Sequence, residues 1–230
     1  MGQTVEFPSN GRTVGGYLAP AAVGAGPGLI VIQEWWGLVD HIRDVCDRFA
    51  EEGFTALAPD LYHGTSFPNT EPDEAEKKMM AMSMEEAARD MSGAIDNLRR
   101  HPAVRGEGVG VVGFCMGGGL ALWLGTLRPD EVRAVACFYG IIPWDAAQPD
   151  YNALRASVQG HYGDEDPFNP LDQVHDLENR LEQLGKDVQF HYYQSAGHAF
   201  FNDTRPEAYA DDAARPAWVR TLEFLRAKLG

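Results

Sequence analysis

Cys115 lies between glycines in the stretch Gly113-Phe-Cys-Met-Gly117, directly after the apolar run 109–112. A strand that enters a helix through a tight, glycine-flanked turn is a known way of exposing a nucleophile above a sheet. The glycines are needed because the nucleophile's backbone is strained and the helix passes close to the strand. At a helix N-terminus, unpaired N–H groups and the helix dipole would also stabilise a thiolate. The alternative is a small buried cysteine without a chemical role.

A cysteine nucleophile needs a base, and the base needs a group that orients it. His198 follows a predicted strand in a loop of small residues, where its imidazole could turn toward Cys115. An acidic loop lies between the cysteine and the histidine, and both Asp164 and Asp166 are candidates for the orienting acid. Each residue alone has an ordinary explanation. Nucleophile, acid and histidine in this order, after three strand ends, predict a catalytic triad.

A second loop, Gln33-Glu34-Trp35-Trp36-Gly37, follows the apolar run 29–32. A loop at this place can supply one backbone N–H of an oxyanion hole, and the residue after the nucleophile supplies the other, so Trp35 and Met116 are the candidates. Glu34 would project near the thiol among tryptophans. A carboxylate there is costly unless it is hydrogen-bonded or shares a proton, which predicts a functional role. A structural salt bridge is the alternative.

The segments that must position these residues alternate between strand and helix patterns. Continuous apolar runs, typical of strands buried on both faces, occur at 29–32, 54–58, 109–112, 132–138 and 188–192, with a weaker candidate at 156–160. Apolar stripes at helical spacing fall between them: Ile42, Val45 and Phe49; Leu120, Trp123, Leu124 and Leu127; Val174, Leu177, Leu181 and Leu184; Trp218, Leu222 and Leu225. This alternation predicts a mostly parallel sheet with helices on both faces.

Local signals set several boundaries. Asn10-Gly11 between two short β-rich runs predicts an antiparallel hairpin at the start of the chain. Ser83 with Glu86 forms a capping box, and Asn169 as N-cap before Pro170 predicts the start of another helix. The segment 62–82 fits no strand. It is expected to form an exposed surface helix, and the alternative is a border of the pocket mouth.

Composition bounds the class of protein. The chain has 230 residues, 34 acidic against 19 basic, and a formal net charge of −15, which disfavours nucleic acids and anionic membranes as partners. No run approaches the length of a membrane span, and no export signal is evident. We therefore expect one α/β domain over residues 1–230 in the cytoplasm, with Cys46 and Cys137 as reduced core thiols.

Neither a metal nor a nucleotide cofactor is predicted. His63, His161 and His191 do not combine with carboxylates or thiols at ligand spacing. The G-x-G-x-x-G spacing that begins at Gly108 matches a dinucleotide fingerprint, but its glycines precede or lie within the run 109–112 instead of following it.

Taken together, four motifs resemble the dienelactone hydrolase family (carboxymethylenebutenolidases), over residues from about 3 to 228: Gln33-Glu-Trp-Trp-Gly37, Gly113-Phe-Cys-Met-Gly-Gly118, Gly163-Asp-Glu-Asp166 and Ala196-Gly-His-Ala-Phe200. The resemblance implies an α/β-hydrolase fold without a large cap domain and without a cofactor. It also implies that Cys115 is the nucleophile, His198 the base and later the general acid, and Asp166 the group that orients the imidazole. Glu34 would contact the resting cysteine until substrate releases it.

One position departs from the family pattern. The family enzyme holds the carboxylate of dienelactone with arginines, one of them four residues beyond the catalytic histidine, where this chain has Asn202. The segment 71–82, where another is expected, contains no arginine. Asparagine or lysine does not replace a bidentate guanidinium conservatively. Arg205, Lys77 or Lys78 are possible substitutes, but a neutral ester or lactone becomes the more plausible substrate.

Trp36, Tyr139, Phe200 and Asn202 are the candidate substrate contacts, and ordinary core aromatics are the alternative for the first three. The sequence thus predicts a cysteine-dependent hydrolase of small lactones or esters that acts through an acyl-enzyme, as a monomer or small homo-oligomer. A non-catalytic small-molecule sensor or binding protein on the same scaffold is the alternative function.

Overall fold

The computed structural model describes residues 1–9 and 11–230, and these form an eight-stranded sheet. The strands are β1 (Gln3–Ser9), β2 (Arg12–Ala19), β3 (Gly26–Ile32), β4 (Thr55–Pro59), β5 (Val104–Phe114), β6 (Val132–Phe138), β7 (Ser157–Gly163) and β8 (Val188–Tyr193). Their order across the sheet is β1-β2-β4-β3-β5-β6-β7-β8. The pairs β1–β2 and β2–β4 are antiparallel, and all pairs from β4 to β8 are parallel. The predicted mostly parallel sheet is confirmed.

Helices cover both faces of this sheet. They are α1 (Asp40–Glu51), α2 (Pro72–Met80), α3 (Met84–Arg99), α4 (Met116–Leu127), α5 (Leu171–Gln183) and α6 (Asp211–Leu229). Side chains of β3 alternate between two cores: Ile30 and Ile32 belong to the core that α3, α4 and α5 also enter, while Leu29 and Val31 belong to the core that α1 and α6 enter. This is why the central strands read as continuous apolar runs. None of the helices in the described ranges combines the length and apolar composition that a membrane crossing requires.

The predicted elements agree with the structure except at some helix ends. Ser83 caps α3, since its Oγ accepts from the backbone N–H of Glu86 at 3.3 Å. Leu127 and Leu184 were expected on buried stripes but are exposed, because they lie where α4 and α5 end. Strands β1 and β2 form an antiparallel pair in which Ser9 lies opposite Arg12, as the predicted hairpin requires. Asn10 of the predicted turn lies outside the described residues. Cys46 and Cys137 are buried free thiols.

The expected start of α5 is wrong. This helix begins at Leu171, Pro170 occupies the N-cap position, and no side chain caps the helix. Asn169 is 4% exposed, and its amide donates to the carboxylate of Asp166 and to the backbone carbonyl of Tyr139 instead. Tertiary hydrogen bonds therefore outcompete the local capping preference of an Asn-Pro pair.

A buried hydrogen-bond network ties β7 and β8 to α6. His161 is fully buried; its Nε2 lies 3.0 Å from both Gln159 Oε1 and Thr221 Oγ1, and its Nδ1 lies 2.8 Å from the Tyr193 hydroxyl. The Thr221 hydroxyl donates to the Ala217 carbonyl, so it accepts from His161. The imidazole is therefore neutral, with its proton on Nε2, and Nδ1 accepts from Tyr193.

This network matters for the site because β7 and β8 lead into the loops that carry Asp166 and His198. Burial holds the pKa of His161 well below its ordinary value, and the nearby positive charge of Arg220 adds to this effect. Protonation of His161 would break the acceptor role of Nδ1. Acid should therefore loosen the two strands that deliver the acid and the base.

We predict that His161 makes the protein less stable as the pH falls from about 6.5, the ordinary histidine pKa in an unfolded chain. Below that pH the unfolded chain binds a proton that the folded chain does not, so each such histidine lowers the free energy of unfolding by up to about 1.4 kcal/mol per pH unit. When the free energy of unfolding in urea is plotted against pH between 7.5 and 5, the slope should be flatter in His161→Gln than in the wild type. His41 and His191, whose pKa values burial also lowers, keep the slope above zero.

His175→Gln, at an exposed position of α5, is the matched control and should keep the wild-type slope. A wild-type slope in His161→Gln would show that the network is not what links stability to pH.

Candidate active site

Cys115 occupies a strained turn between β5 and α4. Its φ of 56° and ψ of −125° place a non-glycine residue in a rarely populated backbone region. A Cβ at Gly113 would lie 1.8 Å from the Gly117 carbonyl oxygen, and one at Gly117 would lie 2.5 Å from the carbonyl oxygens of Ile32 and Gln33. Only glycine allows α4 to cross so close to the ends of β5 and β3. The sulfur of Cys115 is partly exposed at the carboxyl edge of the sheet.

His198 lies next to Cys115 and is fixed from behind by Asp166. Its Nδ1 is 2.9 Å from Asp166 Oδ2, and His198 and Cys115 line the same cavity. Burial lowers the pKa of His198, but a negative charge on Cys115, together with the hydrogen bonds to Asp166 and Cys115, outweighs burial and raises that pKa to about 10. The surroundings of His198 therefore favour its protonated form.

Of the two acidic candidates, Asp166 contacts the imidazole and Asp164 does not. Asp164 Oδ1 instead accepts from the backbone N–H of Ser195 at 2.7 Å, which ties the acidic loop to the histidine loop. Burial raises the pKa of Asp166, but hydrogen bonds from His198 and Asn169 reverse this and hold it below its ordinary value. Asn169 Nδ2 donates to Asp166 Oδ2 at 2.8 Å, so it restrains the carboxylate that orients His198. Sequence reasoning missed this role because Asn-Pro is a common helix start.

The predicted oxyanion donors, Met116 and Trp35, both line the same cavity as Cys115. Met116 is the first residue of α4, so its N–H is among those that have no acceptor within the helix. The Met116 sulfur accepts from the Tyr62 hydroxyl at 3.5 Å, which restrains this side chain. The two N–H groups thus lie on elements that converge beside the sulfur.

Glu34 is 1% exposed, and its hydrogen bonds go away from Cys115. Its carboxylate accepts from the Tyr139 hydroxyl at 3.3 Å and from Asn202 Nδ2 at 2.8 Å. Within residues 1–9 and 11–230 it forms no ion pair, so the structural salt bridge considered above is absent from this part of the chain. The contact with the cysteine that the family resemblance implies is not among the hydrogen bonds of the described residues.

The cavity around Cys115 measures about 160 Å³, and its walls are mainly apolar. Of the four predicted substrate contacts, Tyr139 lines it. Trp36 and Phe200 are instead core aromatics, at 2% and 0% exposure, which is the alternative considered for them. Asn202 is also buried, because its amide is engaged with Glu34.

Other residues take the places expected of those side chains. Phe168 is 63% exposed; its ring centroid lies 4.8 Å from that of His198, with the planes inclined by 57°, and 6.1 Å from that of Trp35. Helix α2 contributes Glu76 and Met79, so the segment 62–82 both forms a surface helix and borders the cavity. The further lining residues are Gly140, Ile141, Pro143 and Asn169. A large apolar residue in an acidic loop, two positions after Asp166, was the sequence signal that could have identified Phe168.

The cations considered as replacements for the missing arginines are engaged elsewhere. Arg205 lies over the Trp36 ring and pairs with Glu207 at 2.9 Å. Lys77 pairs with Glu74 at 2.6 Å, and Lys78 lies over the Tyr62 ring. The cavity therefore has no lysine or arginine among the lining residues that the structure describes.

Comparison with known proteins gives a consistent match. The model of the "Dienelactone hydrolase family" matches residues 14–229. The chain is 37% identical to "Protein usf" of Aquifex pyrophilus and 34% identical to a "Putative carboxymethylenebutenolidase" of Aquifex aeolicus, in each case over 100% of both chains. It is also similar to the crystal structure of a "Putative Dienelactone Hydrolase" from Klebsiella pneumoniae, with a TM-score of 0.88, 28% identity and 98% coverage of each chain.

We predict that the high pKa of His198 depends on Cys115. In Cys115→Ala the negative charge and the hydrogen bond disappear while burial remains, so the pKa of His198 should fall by about 1 to 3 pH units. An NMR titration of the imidazole measures this directly. Cys46→Ala, which removes a buried thiol from α1, is the control and should leave the titration unchanged. An unchanged pKa in Cys115→Ala would contradict the ion pair.

Proposed function

The chain belongs to the dienelactone hydrolase family, and on that premise we propose that it is a cysteine-dependent hydrolase of small esters or lactones. Its mostly parallel, helix-covered sheet is the α/β-hydrolase fold that the sequence predicted. The observation that carries the proposal is the chain of contacts from Cys115 through His198 to Asp166 at the wall of an open cavity. We further propose that residues 1–230 act as one catalytic domain, because the loops after β3, β5, β6, β7 and β8 and helix α2 all contribute to the cavity.

In the first half of the reaction, the Cys115 thiolate attacks the carbonyl carbon of the substrate. The carbonyl oxygen takes up the electron pair and is stabilised by the N–H groups of Met116 and Trp35. When the tetrahedral intermediate collapses, the bond to the leaving oxygen breaks and the His198 imidazolium gives its proton to that oxygen. An ester releases an alcohol, whereas a lactone opens to a hydroxyl that stays attached to the acyl group. The product of this half is a thioester on Cys115.

In the second half, neutral His198 takes a proton from water, and the resulting hydroxide attacks the thioester carbonyl. The same two N–H groups stabilise the second oxyanion, and its collapse expels the thiolate and releases the carboxylic acid product. Asp166 keeps the imidazole oriented and stabilises its charged form throughout, which is the role of the acid in such triads. Asn169 supports Asp166 as a positioning residue.

We infer that Glu34 controls how readily Cys115 is deprotonated. In the family, the corresponding glutamate contacts the resting cysteine and releases it when substrate arrives. Here Tyr139 and Asn202 hold Glu34 while Cys115 and His198 line the same cavity, which is the arrangement expected after release. A buried carboxylate that has only neutral donors is weakly compensated, so a second position toward the thiol is accessible to it at low cost.

The cavity supports a small substrate. A volume of about 160 Å³ is close to that of cavities, about 150 Å³, that accept a benzene-sized ligand. Its apolar walls of Trp35, Phe168 and Ile141 suit the body of such a molecule, and the convergent polar groups lie at one side. The absence of a guanidinium in the described lining argues against dienelactone, whose carboxylate the family enzyme holds with arginines.

We predict that hydrolysis of p-nitrophenyl acetate depends on Cys115. Cys115→Ala should lose at least about 1000-fold in kcat, as expected when the nucleophile of a triad is removed. Cys115→Ser should also retain little activity, because an alcohol lacks the acidity for which the site is arranged. The control Cys46→Ala should hydrolyse the ester at the wild-type rate. Tight binding of a small molecule by an inert wild type would instead support the sensor alternative.

A further inference from the structure

The uncompensated charge at the mouth of the Cys115 cavity is negative. Glu76, an exposed residue of α2, lines the cavity and forms no ion pair among the residues that the structure describes. His198 is the cationic group of the lining, and its charge is matched by Asp166. A substrate that enters the cavity therefore passes an uncompensated carboxylate.

Two aromatic side chains line the same cavity as this carboxylate. Trp35 is half-buried and Phe168 is exposed; their ring centroids are 6.1 Å apart and their planes are inclined by 70°, so the two rings pack edge to face. Both rings can therefore contact a guest in the cavity that Glu76 also lines. Aromatic faces attract cations through the ring quadrupole, and groups of them are used to recognise quaternary ammonium ions.

The rest of the molecule reinforces this preference. The net charge of −15 gives a field that draws cations and repels anions. Lys77, next to Glu76 in the chain, is paired with Glu74. Lys78 is directed to the Tyr62 ring and Arg205 to the Trp36 ring, so neither cation neutralises Glu76.

We propose that the site prefers esters and lactones that carry a positively charged ammonium group, and that Glu76 is the residue that determines this preference. The carbonyl is held at Cys115 while the ammonium group lies at the mouth, between Glu76 and the faces of Trp35 and Phe168. Neutral isosteres are poorer substrates, and carboxylated ones are the poorest. The ester part of this inference rests on the proposed hydrolase function.

Matched esters test the preference. Acetylcholine and its neutral isostere 3,3-dimethylbutyl acetate have the same shape and differ in charge. At low salt the wild type should favour the cation by about 10-fold in kcat/KM, the combined effect of one nearby charge and one cation–π contact at a partly exposed site. Glu76→Gln should reduce the ratio about 5-fold, and 0.5 M NaCl should lower it in the wild type but hardly in this variant.

Glu6→Gln is the matched control, because it makes the same change of charge at an exposed position of β1, the edge strand far from β5 in the sheet order. Its ratio should equal that of the wild type. Phe168→Leu should lower the ratio by about 3-fold without changing the salt dependence, since it removes a π face and no charge.

A second measurement needs no turnover. Cys115 is the partly exposed cysteine, while Cys46 and Cys137 are buried, so thiol labelling reports on this cavity. In labelling by a methanethiosulfonate, the thiolate forms a disulfide with the reagent's thioalkyl group and methanesulfinate leaves. Relative to a free thiol, the reagent with a trimethylammonium group should react about 10-fold faster than the one with a sulfonate, and Glu76→Gln should remove most of this difference.

The outcomes separate the two proposals. Ester turnover that depends on Cys115 but shows equal rates for both isosteres, in both the wild type and Glu76→Gln, would overturn the cation preference and leave the hydrolase intact. No turnover with either ester, together with charge-selective labelling that depends on Glu76, would overturn the hydrolase proposal for these esters while supporting the charged mouth. Labelling without charge preference would overturn the role of Glu76 whatever the esters show.

Discussion

The constraint on which the site depends is the close passage of α4 over the ends of β5 and β3. Glycines at 113 and 117 remove the side chains that would otherwise collide with backbone carbonyls, and Cys115 between them is held at a positive φ. Such a conformation costs of order 1–3 kcal/mol and persists only where packing over-determines it. Here the apolar helix α4 is buried along almost its whole length against β5 and β6. Core packing thus offsets the strain, and the sulfur, the first N–H of α4 and the end of β3 are brought to one place.

Two buried carboxylates near this sulfur are handled in different ways. The negative charge of Asp166 is compensated by the charge of His198 and by the amide of Asn169, which together hold the carboxylate in one position. Glu34 has the Tyr139 hydroxyl and the Asn202 amide, both neutral, at a position where the family enzyme has an arginine instead of Asn202. Asn202, at the position where a substrate-binding arginine was expected, therefore binds Glu34 instead. The described lining of the cavity contains no guanidinium.

The sequence predicted the sheet well because β3, β4, β6, β7 and the second half of β5 are buried on both faces and have continuous apolar runs. The order of Cys115, Asp166 and His198 could also be predicted, since each follows a strand end and parallel strands end at one edge.

The residues that line the cavity could not be predicted in this way. Asn169 precedes a proline and looks like a cap, while its actual partners, Asp166 and the Tyr139 carbonyl, are 3 and 30 residues away. Trp36 and Phe200 are neighbours of site residues in sequence, but backbone direction turns them into the core. Glu76 and Met79 lie on a mostly exposed helix whose pattern gives no hint of what it faces.

The central claim is that Cys115 forms a covalent intermediate. The most direct measurement is intact-protein mass spectrometry after rapid acid quenching of the enzyme with a p-nitrophenyl ester, followed by peptide mapping. We expect a transient mass increase equal to one acyl group, located on Cys115, that appears and decays at rates consistent with turnover. Continued hydrolysis with no acyl adduct on Cys115, or an adduct confined to another residue, would contradict it.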